Sequence, residues 1–158
     1  MELELWLMRH GEAAGADTSG TDHGRPLTEH GQQQVQQFAR WLAGRVPAPD
    51  IVWHSPLRRA RETAELMAAE FTLAVSEQPV LSPGMRADRL LEALAARTVT
   101  RAVCVGHQPD IGGALRDMIG GGRLLVPPGT CAAVVFTGPI VAGAGSLRWL
   151  ADPAWFGG

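Results

Sequence analysis

Residues 5–12 read Leu-Trp-Leu-Met-Arg-His-Gly-Glu, four apolar side chains followed at once by charged and small ones. Two later stretches have the same form: Ile-Val-Trp at 51–53 precedes His-Ser-Pro-Leu-Arg-Arg-Ala at 54–60, and Ala-Val-Cys-Val at 102–105 precedes Gly-His-Gln-Pro at 106–109. Short apolar runs without polar alternation are typical of strands that are covered on both faces, as in a parallel sheet. The chain therefore predicts three buried strands, each of which ends in a polar cluster.

Helical patterns separate these strands. Apolar residues recur at helical spacing in four stretches, 28–46, 55–71, 87–94 and 111–119. Two further strands are predicted near 132–136 and 146–150, and we expect them to form an antiparallel edge. Because strands that alternate with helices are typical of α/β folds, we expect a three-layer sandwich, a mainly parallel sheet with helices on both faces. A length of 158 residues fits a single domain over residues 1–158.

Composition excludes several classes of protein. With 46% hydrophobic and 19% charged residues, the chain is neither a disordered tail nor a highly charged coil. No apolar run approaches the roughly 18 residues of a membrane span, and no basic segment of a secretory signal precedes an apolar stretch. We therefore expect a cytoplasmic protein without a membrane partner. A net charge of −2 argues against a nucleic-acid binder, and Cys104 and Cys131 are expected to be buried free thiols.

The polar clusters predict a site for phosphoryl chemistry. Ligands bind beyond the carboxyl ends of parallel strands, where His10 and His107 would meet together with several arginines of these clusters. A guanidinium group matches pairs of phosphate oxygens and stays charged, and a neutral imidazole is a competent nucleophile toward phosphorus. Since the arginines supply positive charge, such a site requires neither a metal nor a cofactor.

The same clusters resemble the signature of a known family. The matching segments, in chain order, are Arg9-His10-Gly11-Glu12, Arg25-Pro26-Leu27-Thr28, Ser55-Pro56-Leu57-Arg58-Arg59-Ala60 with Thr63, and Gly106-His107. This set resembles the histidine phosphatase superfamily, also called the phosphoglycerate mutase-like family, and looks most like its SixA-type phosphohistidine phosphatases. The resemblance implies a phosphoglycerate mutase-like fold and a hydrolase that acts on phosphoryl groups.

The resemblance also implies a role for each matching residue. His10 matches the nucleophile that becomes phosphorylated, and Arg9 and Arg59 match the two arginines that bind phosphate. His107 matches the second histidine, which contacts the phosphoryl group. Arg25 matches a substrate-binding arginine near the phosphate.

Three other residues of the motif receive structural interpretations. Arg58 does not match a conserved position of the family motif and is expected at the surface. Ser55 either contacts phosphate or caps its helix, and we expect the cap. Thr63 is expected to pack in the core.

The chain departs from many members of the family at the proton donor. These members carry an acidic residue before the third helix, where our alignment places Val80, and Glu77, Asp17 and Asp22 remain as candidates. An alkoxide leaving group benefits from such an acid, often by 10²–10⁴-fold. Imidazole is far less basic, with an unperturbed pKa of about 6.5, and solvent can protonate it. The departure therefore favours a phosphoramidate substrate.

We expect a metal-independent phosphatase that forms a covalent phosphohistidine on His10 and removes phosphate from phosphohistidine on a protein. One alternative is a phosphatase of a small phosphate monoester, such as a sugar or nucleotide phosphate. The other is a phosphate-binding module with little turnover. In every case the expected partner is a phosphorylated protein or a small phosphorylated molecule.

Overall fold

The computed structural model describes residues 2–16 and 20–157. Its strands are β1 Leu3–Arg9, β2 Ile51–His54, β3 Ser76–Glu77, β4 Arg101–Gly106, β5 Cys131–Phe136 and β6 Ser146–Ala151. Its α-helices are α1 Glu29–Ala43, α2 Arg58–Ala69, α3 Ala87–Ala95 and α4 Asp110–Ile119. Strands and helices thus alternate along most of the chain, as predicted.

The strands join in one sheet whose order is β3-β2-β4-β1-β5-β6. β1 to β4 run parallel, whereas β5 is antiparallel to β1, and β6 is antiparallel to β5. α1 and α2 pack on one face of the sheet, and α3 and α4 pack on the other. The predicted three-layer α/β sandwich, with a mainly parallel sheet and an antiparallel edge, is confirmed. None of the helices in the described part of the chain is long and apolar enough to span a bilayer.

β1 is covered on both faces, which explains its apolar run. Leu3, Leu5 and Leu7 belong to the core beneath α3 and α4. Trp6 and Met8 belong to the core beneath α1 and α2. Because side chains alternate across a strand, one strand supplies both cores. This burial fixes the carboxyl end of β1 in the middle of the sheet, between β4 and β5.

The end of α1 and the presence of β3 differ from the prediction. α1 ends at Ala43 with Gly44 as its C-cap, not near Val46. Val46 still packs against the core from outside the helix, so the apolar periodicity runs on past the last helical residue. Both residues of the strand β3 are exposed, and it has no apolar pattern by which it could have been predicted.

A close approach at Gly31 joins α1 to the loop after β1. Thr28 caps α1 by accepting a hydrogen bond from the Gly31 N–H at 3.0 Å. The Glu12 carbonyl accepts from the Thr28 N–H at 2.9 Å. A Cβ atom on Gly31 would overlap that carbonyl oxygen, which belongs to the backbone. Only glycine therefore allows the loop to lie this close to the helix.

We expect Gly31→Ala to lower the free energy of unfolding by roughly 1–3 kcal/mol, because the added methyl group forces the backbone apart. Gly113→Ala is the matched control in α4, since a Cβ atom there meets nothing within 4 Å. It should raise the free energy by about 0.5–1 kcal/mol through helix propensity. Denaturant titration measures both values. Equal stability of Gly31→Ala and the wild type would show that the close approach imposes no constraint.

Candidate active site

Two histidines meet at the carboxyl edge of the sheet. β1 and β4 are neighbours in parallel register, so His10 and His107, which follow them, lie side by side. Their ring centroids are 5.3 Å apart, and the two residues are 8% and 4% exposed. The sequence motifs that lie almost a hundred residues apart thus converge in one buried place.

The surroundings of His10 determine which ring nitrogen is free to react. Its Nδ1 lies 2.7 Å from the Gly11 carbonyl oxygen, which can only accept, so Nδ1 carries the hydrogen. Nε2 then has a lone pair, toward which the Arg59 Nε–H points at 3.3 Å. Burial, aided by the charges of neighbouring groups, lowers the pKa of His10 to about 4. At neutral pH the imidazole is therefore uncharged, with an unprotonated Nε2.

His107 is held by Ser55 and presents its other nitrogen to the site. Its Nε2 lies 2.7 Å from Ser55 Oγ. The same oxygen accepts a hydrogen bond from the Leu57 N–H at 3.2 Å, which leaves the hydroxyl hydrogen for Nε2. With the serine hydroxyl donating to Nε2, Nδ1 carries a hydrogen, and this buried atom has no partner among the described residues. Burial lowers the pKa of His107 to about 4. A neutral ring with an unpaired N–H is suited to donate to an anion.

The expectation that Ser55 caps α2 is wrong. The helix begins three residues later, at Arg58, with Leu57 as a cap residue that provides no side-chain hydrogen bond. The Ser55 hydroxyl instead holds a turn before the helix and orients His107. This contact follows from strand register, because Ser55 donates its N–H to Val105 at the end of β4.

Two arginines lie next to the histidines. Arg59, in the first turn of α2, is 7% exposed and contacts His10 through Nε. Arg9, the last residue of β1, donates from NH1 to the Val126 carbonyl at 2.9 Å, and its buried Nε has no partner among the described residues. Burial lowers the pKa of both groups, yet guanidinium stays protonated at neutral pH. The site therefore combines two neutral imidazoles with two positive charges.

Arg25 reaches this cluster through Asp22. Its Nε donates to the Ala14 carbonyl at 2.7 Å, and its NH1 lies 3.3 Å from the Asp22 carboxylate. The same carboxylate lies 3.5 Å from NH2 of Arg59, whose NH1 donates to the Asp22 carbonyl at 2.8 Å. The structure thus places Arg25 beside the site, with Asp22 between it and Arg59.

The helix α2 connects two parts of the site through the side chain of Thr63. Thr63, fully buried, accepts from the Gly11 N–H at 3.0 Å and donates to the Arg59 carbonyl at 2.8 Å. Thr63 therefore does more than pack, since it links the backbone beside His10 to that of Arg59.

The expected surface position of Arg58 agrees with the structure, where it pairs with Glu62 at 3.0 Å.

The candidates for a proton donor lie in different surroundings. Asp17 lies outside the described residues. Glu77 is exposed on the outermost strand β3, and Val80 packs against the core. A hydrogen bond from Arg25 and the charge of Arg59 lower the pKa of Asp22. Asp22 is therefore ionised at neutral pH and has no proton to donate.

Cys104 and Cys131 are buried free thiols, as predicted. In residues 2–16 and 20–157, no group of three or more His, Cys, Asp or Glu side chains is arranged to hold a metal ion.

Solved structures resemble the whole chain. The structure of the protein histidine phosphatase SixA complexed with tungstate has a TM-score of 0.85 and 26% sequence identity, and the match covers 96% of this chain and 98% of that one. A structure assigned to a phosphohistidine phosphatase SixA of Nakamurella multipartitia has a TM-score of 0.81 and 28% identity, with 97% of each chain covered. The fold is thus that of SixA.

Sequence comparisons give the same family. An uncharacterized protein of Picosynechococcus sp. is 35% identical over 118 residues, which are 70% of this chain and 69% of that protein. The adenosylcobalamin/alpha-ribazole phosphatase of Escherichia coli is 38% identical over 82 residues, 51% of this chain but only 39% of that protein. The model of the histidine phosphatase superfamily, branch 1, matches residues 5–83, which include His10 and Arg59. With its fold, its motif and its relatives in agreement, the chain belongs to branch 1 of the histidine phosphatase superfamily.

Proposed function

We propose that the chain hydrolyses phosphohistidine on a protein, through a covalent phosphohistidine intermediate at His10. The observation that carries this proposal is the state of His10. Its Nε2 is unprotonated and lies within 3.3 Å of the Arg59 guanidinium, beside the second imidazole. A nucleophilic nitrogen supports a covalent phosphoryl transfer, and fixed positive charge stabilises its transition state.

The reaction proceeds in two displacements. The Nε2 lone pair of His10 forms a bond to phosphorus, while the bond from phosphorus to the leaving nitrogen breaks and its electron pair stays on that nitrogen. Water then attacks the phosphorus of phosphorylated His10, and the Nε2–P bond breaks with its electron pair returning to Nε2. Inorganic phosphate leaves with the oxygen and both protons of the water. Arg9 and Arg59 stabilise the charge on the equatorial oxygens in both steps, and the Nδ1–H of His107 donates to one of them.

The choice of substrate rests on the leaving group. Val80 packs against the core at the position where many family members carry an acid, and Asp22 is ionised. An alkoxide would leave such a site unassisted, whereas an imidazole leaves as a neutral molecule. The names of the matching SixA structures, a protein histidine phosphatase and phosphohistidine phosphatases, support the same substrate class.

The second candidate function is the hydrolysis of a small phosphate monoester. The matching Escherichia coli protein, named an adenosylcobalamin/alpha-ribazole phosphatase, favours it. The two functions differ in the leaving group, and they can therefore be separated by substrate.

We expect kcat/KM for a phosphohistidine peptide to exceed that for an alkyl phosphate by about 10²-fold or more, the usual worth of a missing general acid. Release of inorganic phosphate measures both rates. A sugar phosphate turned over as fast as the peptide would favour the monoester function. Binding of either substrate without phosphate release would leave a binding module.

A further inference from the structure

A carboxylate lies next to the positive charges of the site, where it opposes the binding of an anion. Asp22 Oδ2 is 3.5 Å from NH2 of Arg59, and Oδ1 is 3.3 Å from NH1 of Arg25. Its side chain is 59% exposed, so it faces the solvent from which a substrate arrives. A negative charge so close to a phosphate group weakens phosphate binding by Coulomb repulsion.

The negative charge of Asp22 is not needed to hold Arg59 in place. The backbone carbonyl of Asp22 already accepts from NH1 of Arg59 at 2.8 Å, which is the shorter of the two contacts. The carboxylate is ionised, because a hydrogen bond from Arg25 and the charge of Arg59 lower its pKa. It can therefore accept a hydrogen bond from a substrate but cannot donate one.

Arg59 contacts both the Asp22 carboxylate and the reacting Nε2 of His10. The guanidinium group contacts His10 Nε2 through Nε at one edge and Asp22 through NH1 and NH2 at the other. Of the five N–H groups of an arginine, two remain for phosphate oxygens. A phosphoryl group held by these two N–H groups lies against a guanidinium group that contacts His10 through Nε and Asp22 through NH1 and NH2. In an in-line displacement, the leaving group lies opposite the nucleophile.

We propose that the Asp22 carboxylate accepts a hydrogen bond from the second ring nitrogen of the substrate phosphohistidine, and that it thereby selects phosphorylated imidazole over phosphate esters. This inference rests on the proposed function. When the substrate P–N bond breaks, its electron pair stays on the leaving nitrogen, and the hydrogen on the second nitrogen remains in place. The product ring is then neutral imidazole. Without that hydrogen the ring would have to leave as an anion, which is a far poorer leaving group.

Asp22→Asn tests the proposal, because it keeps the size of the side chain and removes the charge. We expect kcat/KM for a phosphohistidine peptide to fall about 10–100-fold, the worth of a hydrogen bond to a charged group. With p-nitrophenyl phosphate, whose leaving group needs no proton, kcat/KM should stay the same or rise. Asp88→Asn is the matched control, an exposed carboxylate paired with Arg86 at 2.8 Å, and should change neither rate.

A pH profile separates hydrogen-bond acceptance from a merely structural role. The second ring nitrogen of a free phosphohistidine loses its hydrogen near the ordinary imidazole pKa of about 6.5. The carboxylate raises that pKa in the bound substrate, so the wild type should keep its kcat for the peptide to a higher pH than Asp22→Asn. The ratio of wild-type to variant kcat should therefore increase between pH 6 and 8.

Three outcomes would overturn the inference. Equal losses on both substrates would show that Asp22 only positions Arg59, and the proposed function would still stand. Unchanged rates on both substrates would show that the carboxylate has no part in the reaction. A wild type that hydrolyses p-nitrophenyl phosphate but not the phosphohistidine peptide would overturn the proposed function, and this inference with it.

Discussion

His10→Ala is expected to abolish the release of phosphate from every substrate, a loss of about 10⁴-fold or more. The variant lacks the Nε2 atom that forms the bond to phosphorus. His107 cannot replace it, because its Nε2 is hydrogen-bonded to Ser55 Oγ at 2.7 Å and its Nδ1 carries a hydrogen. During turnover the wild-type chain should carry acid-labile phosphate, and the variant should carry none. Rapid quenching after mixing with labelled substrate measures both.

A second histidine provides the control for this prediction. His30 lies in the first turn of α1 with its side chain exposed, so His30→Ala should keep the wild-type rate and the label. Phosphate should still bind to His10→Ala, because Arg9 and Arg59 remain. If His10→Ala turned over substrate at the full rate, the covalent mechanism would have to be abandoned.

Arg59→Ala is expected to lower kcat/KM by about 10²–10³-fold, with kcat reduced and KM increased. Both parameters change because the guanidinium charge stabilises the bound substrate and stabilises the transition state still more. The charge of Arg59 also contributes to the low pKa of His10, about 4, so its removal raises that pKa. The acid limb of the pH–rate profile, on which Nε2 becomes protonated, should move to higher pH in the variant. Steady-state kinetics across pH measure both effects.

The neighbouring arginine is the matched control. Arg58 is on the same helix turn, has a side chain that is 43% exposed, and pairs with Glu62 at 3.0 Å. Arg58→Ala should therefore leave kcat, KM and the acid limb close to the wild-type values. Equal effects of the two substitutions would mean that the general positive charge of α2, not a contact with His10, determines the rate.

The meeting of His10 and His107 could be predicted from sequence because it depends on two robust features. Each follows a short apolar strand, and the carboxyl ends of parallel strands lie on one edge of the sheet. The burial of β1 on both faces was likewise visible in the unbroken apolar run at 5–8.

Contacts that depend on register or on loops could not be predicted. Ser55 reaches His107 because His54 pairs with Val105, and no local pattern encodes which residues of two strands face each other. Asp22 lies in a loop, where side-chain periodicity is absent, so its contact with Arg59 appears only in three dimensions. The strand β3 is too short and too exposed to leave a hydrophobic signal.

The hydrogen bonds of Thr63 have a consequence for inhibitors. One hydroxyl joins the Gly11 N–H to the Arg59 carbonyl, so the backbone beside the nucleophile and the backbone of Arg59 are held together in the folded protein. A preorganised cradle requires little structural rearrangement when an oxyanion enters it. Trigonal-bipyramidal mimics such as vanadate should consequently bind with little movement of the backbone around His10 and Arg59.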